Sequence, residues 1–116
     1  MPALNYQERF APLVESGRKK QTIRAWRKRP FRVGDRLYHY TGMRTKSCRK
    51  LLESTCTEAI PIVIDGACVC VNDVIPLAVY ERNKLARADR FKDYDEMEAW
   101  FQATHEMPFS GQVIRW

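Results

Sequence analysis

Asp65-Gly66 stands between two apolar runs, Ile62-Val63-Ile64 and Ala67-Cys68-Val69-Cys70-Val71. An Asp-Gly pair takes the positive φ angles of a two-residue hairpin turn at low cost. The middle of the chain is therefore expected to be an antiparallel hairpin. Its neighbours read in the same sense. Glu53 to Ile64 suits one long or bent strand, with Pro61 at a bulge or edge because proline has no N–H for a ladder. Val33-Gly34-Asp35 is a turn, and Leu37 to Thr41 is a strand with Tyr38 and Tyr40 on one face. Thr22 to Trp26 is a strand or extended segment. Leu4 and Tyr6 alternate about Asn5 in a short first strand, and Gly111 to Trp116 closes the chain with Ile114 and Trp116 on one face.

Helices are expected in three places. Pro12 must lie in a first turn, because deeper in a helix it would lack the N–H and clash with the preceding turn. This sets a helix over 10–16, with Phe10, Leu13 and Val14 as its apolar stripe and Gly17 as its stop. Glu81 to Phe91 is a second, short helix. Asp93 caps a third, with Glu96 completing a capping box and Met97, Trp100, Phe101 and Thr104 on the buried face; Pro108 ends it. No linker, repeat or low-complexity tract interrupts the 116 residues. The expected fold is α+β: a single domain over 1–116, a small mostly antiparallel β-barrel with helices packed on it.

Charge is unevenly spread. From Arg18 to Lys50 there are thirteen Lys/Arg and one acid, Asp35, a net of +12; the other 83 residues carry a net of −6. Such a block on an otherwise acidic chain points to a polyanion, most simply nucleic acid. Arg24, Arg27, Lys28, Arg29 and Arg32 lie around Trp26 and Phe31. Cations hold phosphates and rings stack on bases, so this mixture suits a single strand. A solvated basic surface with Trp26 packed in the core is the competing reading. The basic loop over 42–50, with Arg44, Lys46, Arg49 and Lys50, could form a second wall. Tyr40 is then either a stacking residue or plain core.

Other function classes find little footing. No apolar run approaches the eighteen residues of a membrane span, and Met-Pro-Ala-Leu-Asn does not look like the start of a signal peptide, so no membrane partner is expected. Cys48, Cys56, Cys68 and Cys70 form no CxxC pair; they are read as reduced thiols of a cytoplasmic protein, with no metal and no cofactor implied. His39 and His105 lack a second ligand at metal spacing and are read as structural, as are Trp100 and Trp116. Asp93, Asp95, Glu96 and Glu98 suit a solvated first helical turn.

Gly17-Arg18-Lys19-Lys20-Gln21-Thr22-Ile23-Arg24 resembles the G-x-K-x-x-T-x-R signature of ASCH domains (activating-signal-cointegrator homology), members of the PUA-like superfamily. Val33-Gly34-Asp35, Ala86-x-x-Asp89-x-Phe91 and Gly111-x-Val113-Ile114-x-Trp116 follow in the family's order. The Tyr40 to Lys46 stretch looks like that of small stand-alone, phage-type members. The resemblance spans essentially the whole chain. It implies a PUA-like barrel with a cleft between barrel and helices that binds RNA or single nucleosides. One bacterial branch hydrolyses N4-acetylcytidine to cytidine and acetate with a Lys and a Thr of the signature and a downstream Glu. The Lys matches Lys19 and the Thr matches Thr22. The Glu aligns with Asp89, which is shorter by a methylene, and Arg90 replaces a Gly common in the subgroup.

Those three residue types are parts an amide hydrolase could use. A Lys of lowered pKa takes the proton of the Thr hydroxyl, and a carboxylate protonates the leaving amine or orients water. Arg18, Lys20 and Arg24 beside Lys19 supply cationic neighbours that lower its pKa. The other reading makes Lys19 and Thr22 ligands of a phosphate or base edge, with Asp89 paired to an Arg. The expected catalytic set is thus Lys19, Thr22 and Asp89. The expected ligand set is Arg18, Lys20, Arg24, Trp26, Arg27, Lys28, Arg29, Tyr40, Arg44 and Lys46. The function expected first is binding of nucleic acid, favouring RNA, or of a modified nucleoside. Deacylation of an N4-acylated cytidine and a phage-type protein-interaction module are the alternatives.

Overall fold

The computed structural model describes residues 3–65, 68–72 and 77–116. The elements run β1 (Ala3–Tyr6), α1 (Ala11–Glu15), β2 (Gln21–Ala25), β3 (Arg36–Thr41), β4 (Arg49–Thr55), β5 (Glu58–Asp65), β6 (Cys68–Val71), α2 (Val79–Ala88), α3 (Tyr94–Thr104) and β7 (Phe109–Arg115). The fold is α+β. Among the described residues the strands form two sheets, one ordered β1-β3-β4 and the other β2-β7-β5-β6. Pairing is antiparallel except between β1 and β3. β2 thus lies at the edge of the larger sheet. No ladder closes the two sheets into one barrel among the described residues.

The strand expected over 53–64 is instead two strands in different sheets. The break falls at Cys56-Thr57, and its cause is a change of partner. β4 pairs with β3 as far as Thr55 opposite Arg36. The 33–35 turn then takes the chain: Gly34 N–H donates to the Cys56 carbonyl and Cys56 N–H to the Asp35 carbonyl, each at 2.8 Å. Thr57 N–H turns to the Arg115 carbonyl at 2.8 Å, and β5 continues along β7 from Glu58 opposite Arg115. Cys56 is buried, which fixes the corner.

The β5–β6 hairpin forms, with Asp65 opposite Cys68. Gly66 and Ala67, where the expected turn is made, lie outside the described residues. Pro61 lies within β5, an inner strand rather than an edge, opposite Asn72 just beyond the end of β6. Its carbonyl accepts from Asn72 N–H at 2.9 Å, so the edge of Pro61 that lacks a donor faces a place where the ladder has already stopped. The basic loop is shorter than expected, since Arg49 and Lys50 belong to β4.

Pro12 lies in the first turn of α1, as its geometry demands. α2 begins two residues before Glu81 and ends before Phe91, with Asp89 at its C-cap. Asp93 caps α3, its carboxylate accepting from Glu96 N–H at 2.9 Å. Met97 and Phe101 of α3 are buried and Trp100 half-buried. Thr104 is exposed, its hydroxyl turned back to the Trp100 carbonyl at 2.7 Å.

The core gathers Leu4, Leu37, Ile62, Ile64, Met97 and Phe101, all nearly inaccessible. Each such side chain contributes about 1.5–3 kcal/mol by leaving water. His39 marks the seam between the sheets. Its Nδ1 is 2.9 Å from the Tyr6 hydroxyl and its Nε2 is 2.7 Å from Ser54 Oγ. Trp116, just beyond β7, packs its ring on His39 at a centroid distance of 4.4 Å. Burial first, then the Arg24 charge, lowers the His39 pKa to about 4, so His39 is a neutral structural residue. None of the four cysteines forms a disulfide among the described residues, and no described helix is long and apolar enough to cross a membrane.

Candidate functional site

The segment between α1 and β2 turns at Gly17, whose φ of +81° is open to glycine at no steric cost. Lys19 N–H closes the turn on the Leu13 carbonyl at 2.9 Å. The Lys19 side chain then points inward and is only 1% exposed. Its Nζ donates to the Asp89 carbonyl at 2.8 Å and lies 3.4 Å from Asp89 Oδ2. It also stands 4.7 Å above the Phe10 ring, where the ring's negative face favours a cation.

Asp89 is buried at the end of α2. Gln21 Nε2 donates to its Oδ1 at 3.4 Å and to the Leu85 carbonyl at 3.1 Å. Gln21 Oε1 accepts from Arg115 Nε at 3.0 Å, so Arg115, Gln21, Asp89 and Lys19 form one polar chain. Thr22 Oγ1 accepts from Arg24 Nε at 3.0 Å, and the Arg24 guanidinium lies 4.9 Å from the centre of the Tyr6 ring.

Lys19, Thr22, Arg24 and Asp89 line one cavity of about 260 Å³. Its walls include Tyr6, Phe10, Phe91, Trp100 and His105. Burial pushes the Lys19 pKa down, against the opposing pull of Asp89. Burial pushes the Asp89 pKa up, against the pull of Lys19 and the hydrogen bond from Gln21. Both shifts come first from burial, which disfavours the charged form of each group.

The rest of the expected ligand set is spread more widely. Arg27, Lys28 and Arg29 are exposed and line a separate depression of about 460 Å³ with Arg32 and Asp35. Phe31 is buried beneath the Arg27 guanidinium, which lies 4.6 Å from its ring centre, so Phe31 is core rather than a stacking surface. Arg18 and Lys20 line a third depression. Trp26 is 45% exposed, held by its indole N–H to Ser110 Oγ at 2.9 Å; the reading that packs it in the core does not hold. Tyr40 is half-buried on β3, and Arg44 and Lys46 are exposed in the 42–48 loop, none of them in the cleft wall. Arg49 and Lys50, expected in the same wall, are tied to Glu15 and Glu53. The cationic block is therefore not one continuous rim.

Sequence reasoning missed the aromatic walls. Phe10 was assigned to a buried stripe, and Trp100 to the core face of α3, because helical spacing marks an inward face without saying whether it meets a core or a cavity. The position of Phe91, two residues after Asp89, was the available signal. Gln21 gave none. Arg90 follows Asp89 with a left-handed φ of 71°, which costs a non-glycine residue about 1–2 kcal/mol. Its guanidinium reaches the Arg18 carbonyl, with Nε at 3.1 Å.

Comparison with protein-family models, with curated proteins and with solved structures found no match to this chain.

Proposed function

We propose that the chain is a nucleic-acid- or nucleoside-binding domain of the ASCH type, a PUA-like architecture whose cleft takes a single nucleobase, favouring RNA. The observation that carries the reading is the meeting of Lys19 and Asp89. They are 70 residues apart in the chain, yet they pair at 3.4 Å inside an aromatic-walled cavity. Trp100, half-buried in the cavity wall, offers a face for a base to stack on. Lys19 is a donor, Asp89 an acceptor and Thr22 both, which suits the mixed donor and acceptor edge of a base.

The same three residues favour a second reading, hydrolysis of an amide on an N4-acylated cytidine. Thr22 accepts from Arg24, which leaves its own proton free for a base. Transfer of the Lys19 proton to Asp89 within the pair leaves a neutral amine, which takes the Thr22 proton as Thr22 Oγ adds to the acyl carbon. The C–N bond then breaks, and protonated Asp89 supplies the proton of the departing amine. Water, deprotonated by the Asp89 carboxylate, adds to the Thr22 ester. Thr22 leaves as the alcohol by recovering a proton from Lys19, releasing the free acid.

Titration with cytidine and N4-acetylcytidine, followed by tryptophan fluorescence and by chromatography of the products, tests both. Saturable quenching that is lost in Lys19→Ala is expected; its absence sinks the binding reading. Release of cytidine, abolished in Thr22→Ala, is the signature of the second, and intact N4-acetylcytidine after prolonged incubation would exclude it.

A further inference from the structure

Arg18, Lys20, Arg87, Arg90 and Arg115 converge on a surface depression of about 340 Å³ whose lining contains no acid. They come from three separate stretches: the turn before β2, the end of α2 and the end of β7. The exposed cations Arg36, Arg49 and Lys50 each reach a carboxylate. In this depression Arg115 pairs with Glu58 at 3.3 Å, while Arg18, Lys20, Arg87 and Arg90 have no carboxylate partner among the described residues. Asp35 lines the depression formed by Arg27 to Arg32, which further separates the two basic surfaces.

The convergence is built rather than incidental. Lys19 and Asp89 join the two segments on their inner side, and Arg90 joins them on the outer side through the Arg18 carbonyl. Arg18 and Lys20 flank Lys19, and Arg90 follows Asp89, so the contacts that fix the cleft also hold the cations together. They are not needed as hydrogen-bond donors at the end of α2. The Leu85 and Ala86 carbonyls already accept from Gln21 and from the N–H groups of Asp89 and Phe91. Like charges held this close repel one another, and an oligoanion relieves the repulsion.

We propose that this depression binds phosphate groups of a single-stranded nucleic acid, at a site apart from the cleft. The site rests on the nucleic-acid reading above for its ligand class. It adds Arg87, Arg90 and Arg115, which lie outside the basic block of the sequence.

An oligonucleotide of abasic units tests it, because such a strand offers phosphates and no base for the cleft. Its affinity should fall steeply with salt, by about 0.7 in the log–log slope for each phosphate contact. Lys20 and Arg87 are exposed and make no side-chain hydrogen bond among the described residues, so Lys20→Ala with Arg87→Ala should keep the native circular dichroism. This double variant is expected to lower the slope by about 1.4. Arg36→Ala with Lys92→Ala removes the same charge at exposed positions outside both basic depressions and should leave the slope unchanged. No binding of the abasic strand, an unaltered slope in the first variant, or an equal loss in the second would overturn the site. Displacement of the strand by submillimolar inorganic phosphate would also overturn it, in favour of a site for free phosphate. Nucleoside titration of the cleft is the separate arm: its failure removes the base-binding reading and leaves the abasic result standing.

Discussion

Lys19 and Asp89 each carry a charge that would cost several kcal/mol to bury alone, and together they largely offset that cost. Asp89→Asn leaves the Lys19 ammonium without its carboxylate and should cost about 3–5 kcal/mol, read from the denaturant midpoint. Lys19→Met combined with Asp89→Leu removes both charges and should recover most of that loss, because an apolar pair of similar volume is often neutral or better. The double variant should still fail to bind nucleoside; a stable double variant that binds normally would reduce the pair to a structural tie. Lys19 and Thr22 were reached through the signature that their segment resembles, and their spacing alone did not show that they converge. Asp89 was reached only through the resemblance, since nothing local marks one acid of a helix end as buried. Gln21 was unreadable, because a glutamine in a strand becomes a bridge only when Leu85, Asp89 and Arg115 arrive around it.

At the scale of elements, the cleft depends on how closely β2 approaches β7. Gly111 stands opposite Ala25, and a Cβ placed there would meet the Arg24 carbonyl oxygen at 2.0 Å and the Ala25 Cα at 2.9 Å. Those are backbone atoms, so relief requires β2 to move. Gly111→Ala should therefore destabilise by about 1–3 kcal/mol, as over-packing does, and should weaken ligand binding by displacing Thr22 and Arg24. Unchanged thermal unfolding and unchanged nucleoside affinity would show that the strands yield without cost. Alternation of apolar residues gave most of the strands, and proline and aspartate placed the helix starts of α1 and α3. The break between β4 and β5 was not readable. Residues 53–64 continue to look like a strand across it, and only the distant contact of Cys56 with the 33–35 turn makes the chain change partner.

The molecule as a whole is held at its seam by His39, which joins Tyr6 and Ser54 of one sheet to Trp116 beyond the last strand of the other. Its folded pKa of about 4 lies below the ordinary 6.5, so the folded state binds fewer protons than the unfolded chain. The stability it contributes is complete above about pH 6.5 and is lost as pH falls through that range toward about 4. Denaturant midpoints between pH 7 and 4 should fall along this profile, and His39→Gln should flatten it; an equally steep profile in the variant would place the acid sensitivity elsewhere. The charge arithmetic revealed a cationic third of the chain. It could not reveal that this third divides among a cleft and two depressions, because that division depends on where the run leaves β2 and on cations contributed by α2 and β7.

β2 lies at the open margin of its sheet, where unpaired backbone groups can template another chain. Lysine and arginine on such a margin are a recognised defence against edge-to-edge aggregation. Lys20, exposed just before the strand, occupies that position here, whereas Arg24 turns into the cleft. Lys20, which also lines the depression proposed for phosphates, thus carries the kind of charge that opposes strand addition there. Lys20→Ala should therefore raise the tendency to self-associate as well as weaken the phosphate site, which light scattering at rising concentration checks.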